Sequence, residues 1–233
     1  MSFPETSWTV LAEATLNGGE PEKAALGALC ERYWQPVAAM IRSRGGPKDR
    51  VEDLTQDFFL VLMENGFFRR ADPAKGKFRT FLLNALRNFL SNDVRRELSV
   101  KRGGRMERVP LRDDAVSVEM DQLQFDIAWA ETLFQTAVDV TGEGVKKRRG
   151  EDGWLALREF LIGGGEMISF EQLGRILEVT AGAAKTEVSR MRGRFREHLK
   201  QEVAKTVSSP HEVEEELMFL REALMQKMKS GIL

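Results

Sequence analysis

Apolar residues recur at steps of three and four along most of this 233-residue chain, and no segment shows the strict alternation of a half-buried strand. Leu26, Leu29, Tyr33, Val37, Met40 and Ile41 form one stripe, and Val51, Leu54, Phe58 and Val61 form a second. Phe125, Trp129, Leu133 and Phe134 start a third run, and Trp154, Leu157, Phe160 and Leu161 a fourth. Such a period gathers side chains on one face only if the backbone is helical, so the expected fold class is all-α. Gly45-Gly46-Pro47, Asn65-Gly66 and Gly163-Gly164-Gly165 punctuate the helices. Gly103, Gly104, Pro110, Asp113 and Asp114 interrupt the period for longer. The chain therefore divides into helical domains at 1–102 and 122–207, a linker at 103–121 and a helical extension at 208–233.

A formal net charge of -1 conceals strong segregation. Between Phe67 and Arg112 there are thirteen Lys/Arg and only four acids, while the balancing acids gather at Glu52 to Asp57, Asp113 to Asp126 and Glu212 to Glu216. The basic stretch has the electrostatic character of a phosphate-binding surface. Cys30 is the only cysteine, which excludes an intrachain disulfide, and with only His198 and His211 a structural zinc cluster is not expected. No cofactor or metal is expected. The start of the chain lacks the basic and apolar blocks of a signal peptide, and the longest apolar run, Phe58 to Met63, is far too short for a membrane span. A soluble cytoplasmic protein is the expectation.

Three surfaces stand out. On the helix beginning near Asp49, Glu52, Asp53, Gln56, Asp57 and Leu60 share a face beside the apolar stripe. Surface acids are commonplace, and the functional alternative is a docking face for a basic partner. Thr55 is assigned to the same face. Next, Phe67 and Phe68 lie in a basic loop, followed by a helix over 77–97 in which Arg79, Phe81, Arg87, Asn88, Asn92, Arg95 and Arg96 combine rings with cationic reach. Aromatic rings take up unstacked bases while Arg neutralises the backbone, so this segment suits single-stranded DNA. Of Phe78, Phe81 and Phe89, at least two are expected to be core.

The third surface is a helix-turn-helix pattern. Ser169 with Gln172 reads as a capping box for a short helix carrying Phe170, Leu173, Ile176 and Leu177 inward. Thr180 then caps a second helix whose Lys185, Thr186, Ser189, Arg190, Arg192 and Arg194 are suited to duplex DNA, with Val188, Met191, Phe195 and Leu199 on its buried edge. The first of these residues would meet base edges and the later arginines phosphates.

Val51-Glu52-Asp53-Leu54-Thr55-Gln56-Asp57-Phe58-Phe59, Lys77-Phe78-Arg79-Thr80-Phe81-Leu82 and Arg87-Asn88-Phe89-Leu90-Ser91-Asn92-Asp93-Val94-Arg95-Arg96 together resemble region two of bacterial extracytoplasmic-function (ECF) sigma factors, within the sigma-70 family. Thr6-Ser7-Trp8 is similar to the opening of a subgroup. Ser169-Phe170-Glu171-Gln172-Leu173 and Gly182-Ala183-Ala184-Lys185-Thr186 resemble region four of the same family. The resemblance implies that Glu52, Asp53, Gln56 and Asp57 bind core RNA polymerase. It implies that Phe67 through Arg96 melt and read a minus-ten element, with a flipped base near Asn88, and that the second helix of the helix-turn-helix reads a minus-thirty-five element. The linker would thread toward the RNA exit path, and an anti-sigma factor enters the set of implied partners beside promoter DNA. Phe81 stands where the family has tryptophan, Glu178 where it has a small turn residue, and Ala184 where it has a larger aliphatic.

Pro210 opens a final helix with Glu212, Glu214, Glu215 and Glu216 at its start, Lys227 and Lys229 near its end, and Val213, Leu217, Leu220 and Leu224 along one side. It either packs on the second domain or shields the basic DNA-binding surface. Two other functions compete with transcription initiation: a stand-alone helix-turn-helix regulator, and a helical metal-dependent enzyme built on Glu52, Asp53 and Asp57. The sigma-type reading assigns no catalytic residues.

Overall fold

A computed structural model describes residues 20–46, 48–64, 77–101, 118–162, 168–207 and 209–230, with the backbone alone at 20–25, 92–101, 118 and 230. The described residues are all-α and contain no strand. Seven α-helices follow one another: α1 (Glu20–Ser43), α2 (Lys48–Glu64), α3 (Phe78–Lys101), α4 (Val118–Ile162), α5 (Phe170–Ile176), α6 (Ala181–Ala204) and α7 (Val213–Ser230). A 3-10 turn, Pro210–Glu212, precedes the last of these.

Two compact units emerge, and their limits differ from the expected ones. The first takes the described residues up to Thr132 and also Val203 onward; the second is Leu133–Glu202. Val118 to Asp121, expected in the linker, belong to α4, and the rest of the expected linker lies outside the described residues. The C-terminal helix α7 falls in the first unit, not with the helix-turn-helix.

In the first unit the apolar stripes meet as expected. Tyr33, Val37, Met40 and Ile41 of α1 are essentially inaccessible, as are Phe58 of α2, Leu82, Leu83, Leu86 and Leu90 of α3, and Phe125 and Trp129 of α4. Phe78 joins that core, its ring centroid 5.2 Å from Tyr33, and Phe89 packs edge-on against Phe58 at 5.5 Å. Val61 is instead exposed, and Phe59 and Leu62 take the inward positions. α1 stops at Gly45, whose φ of +80° suits a residue without Cβ, and the Gly46 N–H returns to the Ile41 carbonyl at 3.1 Å.

The second unit is built on a bent helix. Gly150, at φ +72° and ψ -178°, breaks α4 into two limbs, which explains why the sequence shows two apolar runs. Val138 and Val145 of the first limb and Trp154, Leu157 and Phe160 of the second bury themselves against Leu173, Leu177, Ala184, Val188 and Met191. Close approach depends on small residues. A Cβ at Gly142 would lie 2.8 Å from the Trp154 ring, and one at Gly153 would lie 2.7 Å from the Arg149 Cβ. Gly142→Ala is therefore expected to destabilise the second unit by about 1–3 kcal/mol, the usual cost of overpacking. Chemical denaturation followed by tryptophan fluorescence measures it, and an unchanged midpoint would mean that Trp154 shifts freely.

Candidate nucleic-acid interface

On α2, steps of three and four separate a buried set, Val51, Leu54, Thr55, Phe58, Phe59 and Leu62, from an exposed one. Glu52, Asp53, Gln56 and Asp57 all fall in the exposed set, with Leu60 and Met63 beside them at 42% and 38% exposure. The structure thus gathers four carboxylate or amide groups around two apolar side chains that are open to contact. Thr55 does not belong to this face: it is inaccessible, and its hydroxyl donates to the Val51 carbonyl at 2.7 Å. Among the described residues no three His, Cys, Asp or Glu side chains are grouped to hold a metal ion.

The α3 residues divide differently from the sequence expectation. Asn88 is exposed, and Phe81 and Arg87 are half-buried. The Arg87 Nη1 donates to the Asn84 Oδ1 at 3.3 Å, and its Nε lies 3.7 Å from Asp121. Asp121, fully buried at the start of α4, also accepts a two-pronged contact from Arg44. Phe67 and Phe68 lie outside the described residues, and the side chains of Asn92, Arg95 and Arg96 do likewise.

Arg79 is the clearest departure. Expected at the DNA surface, it is 7% exposed and closed in by the first turns of α4 and by α7. Its guanidinium pairs with the fully buried Glu216 and lies 3.3 Å from Asp126. The same plane sits over two rings, 4.7 Å from the Trp129 centroid and 4.2 Å from Phe219. Lys77 pairs with Glu216 as well and approaches Glu215 at 3.8 Å. Burial lowers the proton affinity of Lys77 and Arg79 and raises that of Asp126, and the opposite charges counter it. Charge, helical position and the family resemblance all point Arg79 toward DNA. The acids that claim it lie 47 and 137 residues further along the chain, so no local signal could have shown the pairing.

Within the second unit α5 and α6 form a helix-turn-helix in which Leu173 and Leu177 are buried, but Ile176, expected inward, is 48% exposed. The Gln172 N–H donates to the Ser169 hydroxyl at 3.2 Å, while the Ser169 N–H donates to the Gln172 side-chain oxygen at 2.8 Å, completing the capping box. Thr180 caps α6, accepting from the Ala183 N–H at 3.2 Å. Between them Glu178 adopts φ +54°, and Gly174 lets the turn close, since a Cβ there would lie 2.7 Å from the Val179 carbonyl oxygen. On α6, Ala184, Val188 and Met191 point inward, and Lys185, Thr186, Ser189, Arg190 and Arg194 point to solvent. Arg192 is exposed as well, and its Nε and Nη2 donate to the Phe160 carbonyl at 3.1 and 2.9 Å. It ties α6 to the end of α4, where helix carbonyls lack partners.

Sequence reasoning passed over one basic element of this unit. Lys146-Lys147-Arg148-Arg149 forms an exposed run at the end of the first limb of α4. Four successive cations were a visible signal, overshadowed by the larger basic stretch near Arg95. No family model, curated protein or solved structure matches this chain.

Two stability changes test these assignments. Glu178→Gly is expected to stabilise the second unit by about 1 kcal/mol, because a non-glycine residue loses roughly that much in the left-handed region; a lower midpoint in denaturant would contradict it. Arg79→Ala is expected to cost about 3–5 kcal/mol, since it strands buried carboxylates. The sign with pH follows from Asp126. A carboxyl whose folded-state value lies above its unfolded value loses stability as pH rises through that window, so without Arg79 the defect is larger at pH 7 than at pH 5. Urea unfolding of both proteins at the two pH values measures it, and a pH-independent defect would rule out the stranded carboxylate as its cause.

Proposed function

We propose that this chain is an ECF-type sigma factor that binds core RNA polymerase, directs it to selected promoters and helps to open the DNA, leaving the chemistry to the polymerase. The observation that carries this reading is the order of two separate exposed faces. The acidic-apolar face of α2 is followed by a helix-turn-helix whose second helix presents Lys185, Thr186, Ser189 and Arg190 to solvent. A stand-alone operator-binding regulator accounts for the second face only.

In this reading Glu52, Asp53, Gln56 and Asp57 meet a basic surface of the polymerase, with Leu60 and Met63 supplying apolar contact at the same patch. Asn88 meets an unstacked base, and Phe81 and Arg87 stand beside it on α3. Lys185, Thr186, Ser189 and Arg190 enter the major groove of the duplex element, with Arg194 toward the backbone. Arg79, enclosed within the first unit, leaves the DNA-contacting set, whereas Arg192 stays exposed while it donates to the Phe160 carbonyl. α7 holds Lys77 and Arg79 through Glu216 and so belongs to the first unit, not to the helix-turn-helix. No helix among the described residues is long and apolar enough to cross a membrane, in keeping with action in the cytoplasm.

Association with bacterial core RNA polymerase tests the assignment. The wild-type chain is expected to bind tightly, and Asp53→Ala/Asp57→Ala to bind about tenfold more weakly or worse, a loss of about 1.4 kcal/mol or more. Because both carboxylates are exposed, circular dichroism of the variant should match the wild type. Failure of the folded wild type to associate with its cognate core would transfer the assignment to the stand-alone regulator.

A further inference from the structure

The bend of α4 brings an unassigned set of cations to the edge of the recognition helix. Lys146 is taken by Glu151 at 3.0 Å, which leaves Lys147, Arg148 and Arg149. Arg148 and Arg149 converge on one carboxylate, Glu187 of α6, each at 3.8 Å. Glu187 itself is only 8% exposed. Lys147 is exposed and has no ion-pair partner among the described residues.

Stability of the helix end explains part of this arrangement. Cations at the negative end of the first limb interact favourably with its dipole, each by about 0.3–1 kcal/mol. That does not explain Glu187, an acid placed at the buried edge of a different helix, where it draws two guanidinium groups toward α6. Glu187 and Arg190 are three residues apart on α6, and such residues have Cβ atoms roughly 5–6 Å apart. The corner's arginines therefore lie beside the face formed by Thr186, Ser189 and Arg190. At 3.8 Å from a shared carboxylate, neither guanidinium is locked into a hydrogen-bonded fork, so each retains donors for a second anion. The corner is also rigidly built: Gly150 supplies the positive φ, Gly153 admits the Arg149 Cβ, and Gly142 admits Trp154.

We propose that Lys147, Arg148 and Arg149 form a second phosphate-binding site for duplex DNA. It grips the backbone flanking the bases that face α6, and Glu187 positions the two arginines. This rests on the reading of α6 as a duplex-binding helix. The site neutralises phosphates and reads no bases, so it contributes affinity and register at every sequence. Loss of the site weakens specific and non-specific duplexes alike, whereas changes at Ser189 and Arg190 alter the ranking of sequences.

Binding of the full chain to a labelled random-sequence DNA duplex, followed from about 50 to about 200 mM salt, tests the proposal. Each cation that neutralises a phosphate adds about 0.9 to the slope of log affinity against log salt. Lys147→Gln/Arg148→Gln/Arg149→Gln is expected to reduce the steepness by about two to three, and Lys147→Gln alone by about one. The single variant touches no buried group, so it carries the test if the triple variant, which strands Glu187, does not fold. Wild-type binding with the same slope in Lys147→Gln and in a folded triple variant would overturn the corner site and leave α6 as the reader. Absence of salt-dependent duplex binding by the wild type would overturn the reading of α6 and this proposal with it.

Discussion

The first unit buries the Arg79 guanidinium together with the carboxylates that replace the water it loses. Glu216 and Asp126 supply negative charge, and the faces of Trp129 and Phe219 cover the plane between them. These four partners come from two segments, the start of α4 and α7, that are far apart in sequence. Neither could be withdrawn without stranding a buried charge. That dependence explains why α7 belongs with α3 and not with the helix-turn-helix that immediately precedes it. It also explains why the first compact unit is assembled from both ends of the described chain.

The second unit follows another principle: close packing made possible by absent side chains. Gly142 accepts the face of Trp154, Gly153 accepts Arg149, and Gly174 accepts the turn after α5. The two limbs of α4 and the helix-turn-helix share one core, from Val138 to Met191. Arg192 adds a polar tie by donating to Phe160. The polar face of α6 is left to solvent on this packed support.

Charge in this protein is thus used in three ways. The acids of α2 remain exposed and grouped, where they retain the capacity to meet another molecule. Lys77, Arg79, Arg44 and Arg87 are directed at carboxylates within the same unit, which removes them from the external field. The cations of α6 and the corner at Lys147 to Arg149 remain at the surface. A count of lysines and arginines cannot separate these uses, since the same side chain serves each.

Local pattern by itself determined the helices, because a period of three to four can bury Tyr33, Val37, Phe58 and Val188 in no other regular backbone. It determined the capping box at Ser169 and Gln172, whose partners are three residues apart, and the sharing of one face by Glu52, Asp53, Gln56 and Asp57. Thr55 lies between those residues in sequence yet is buried, because the boundary between faces depends on how closely α1 packs against α2. Only the tertiary structure decided the fate of Arg79, the placement of α7, the division of α4 at Gly150 and the tie of Arg192 to the Phe160 carbonyl. Each of these depends on groups distant in sequence or on a backbone angle that other residues impose. Helical periodicity is a property of neighbours along the chain, whereas the pairing of a buried charge is a property of whatever the fold brings beside it.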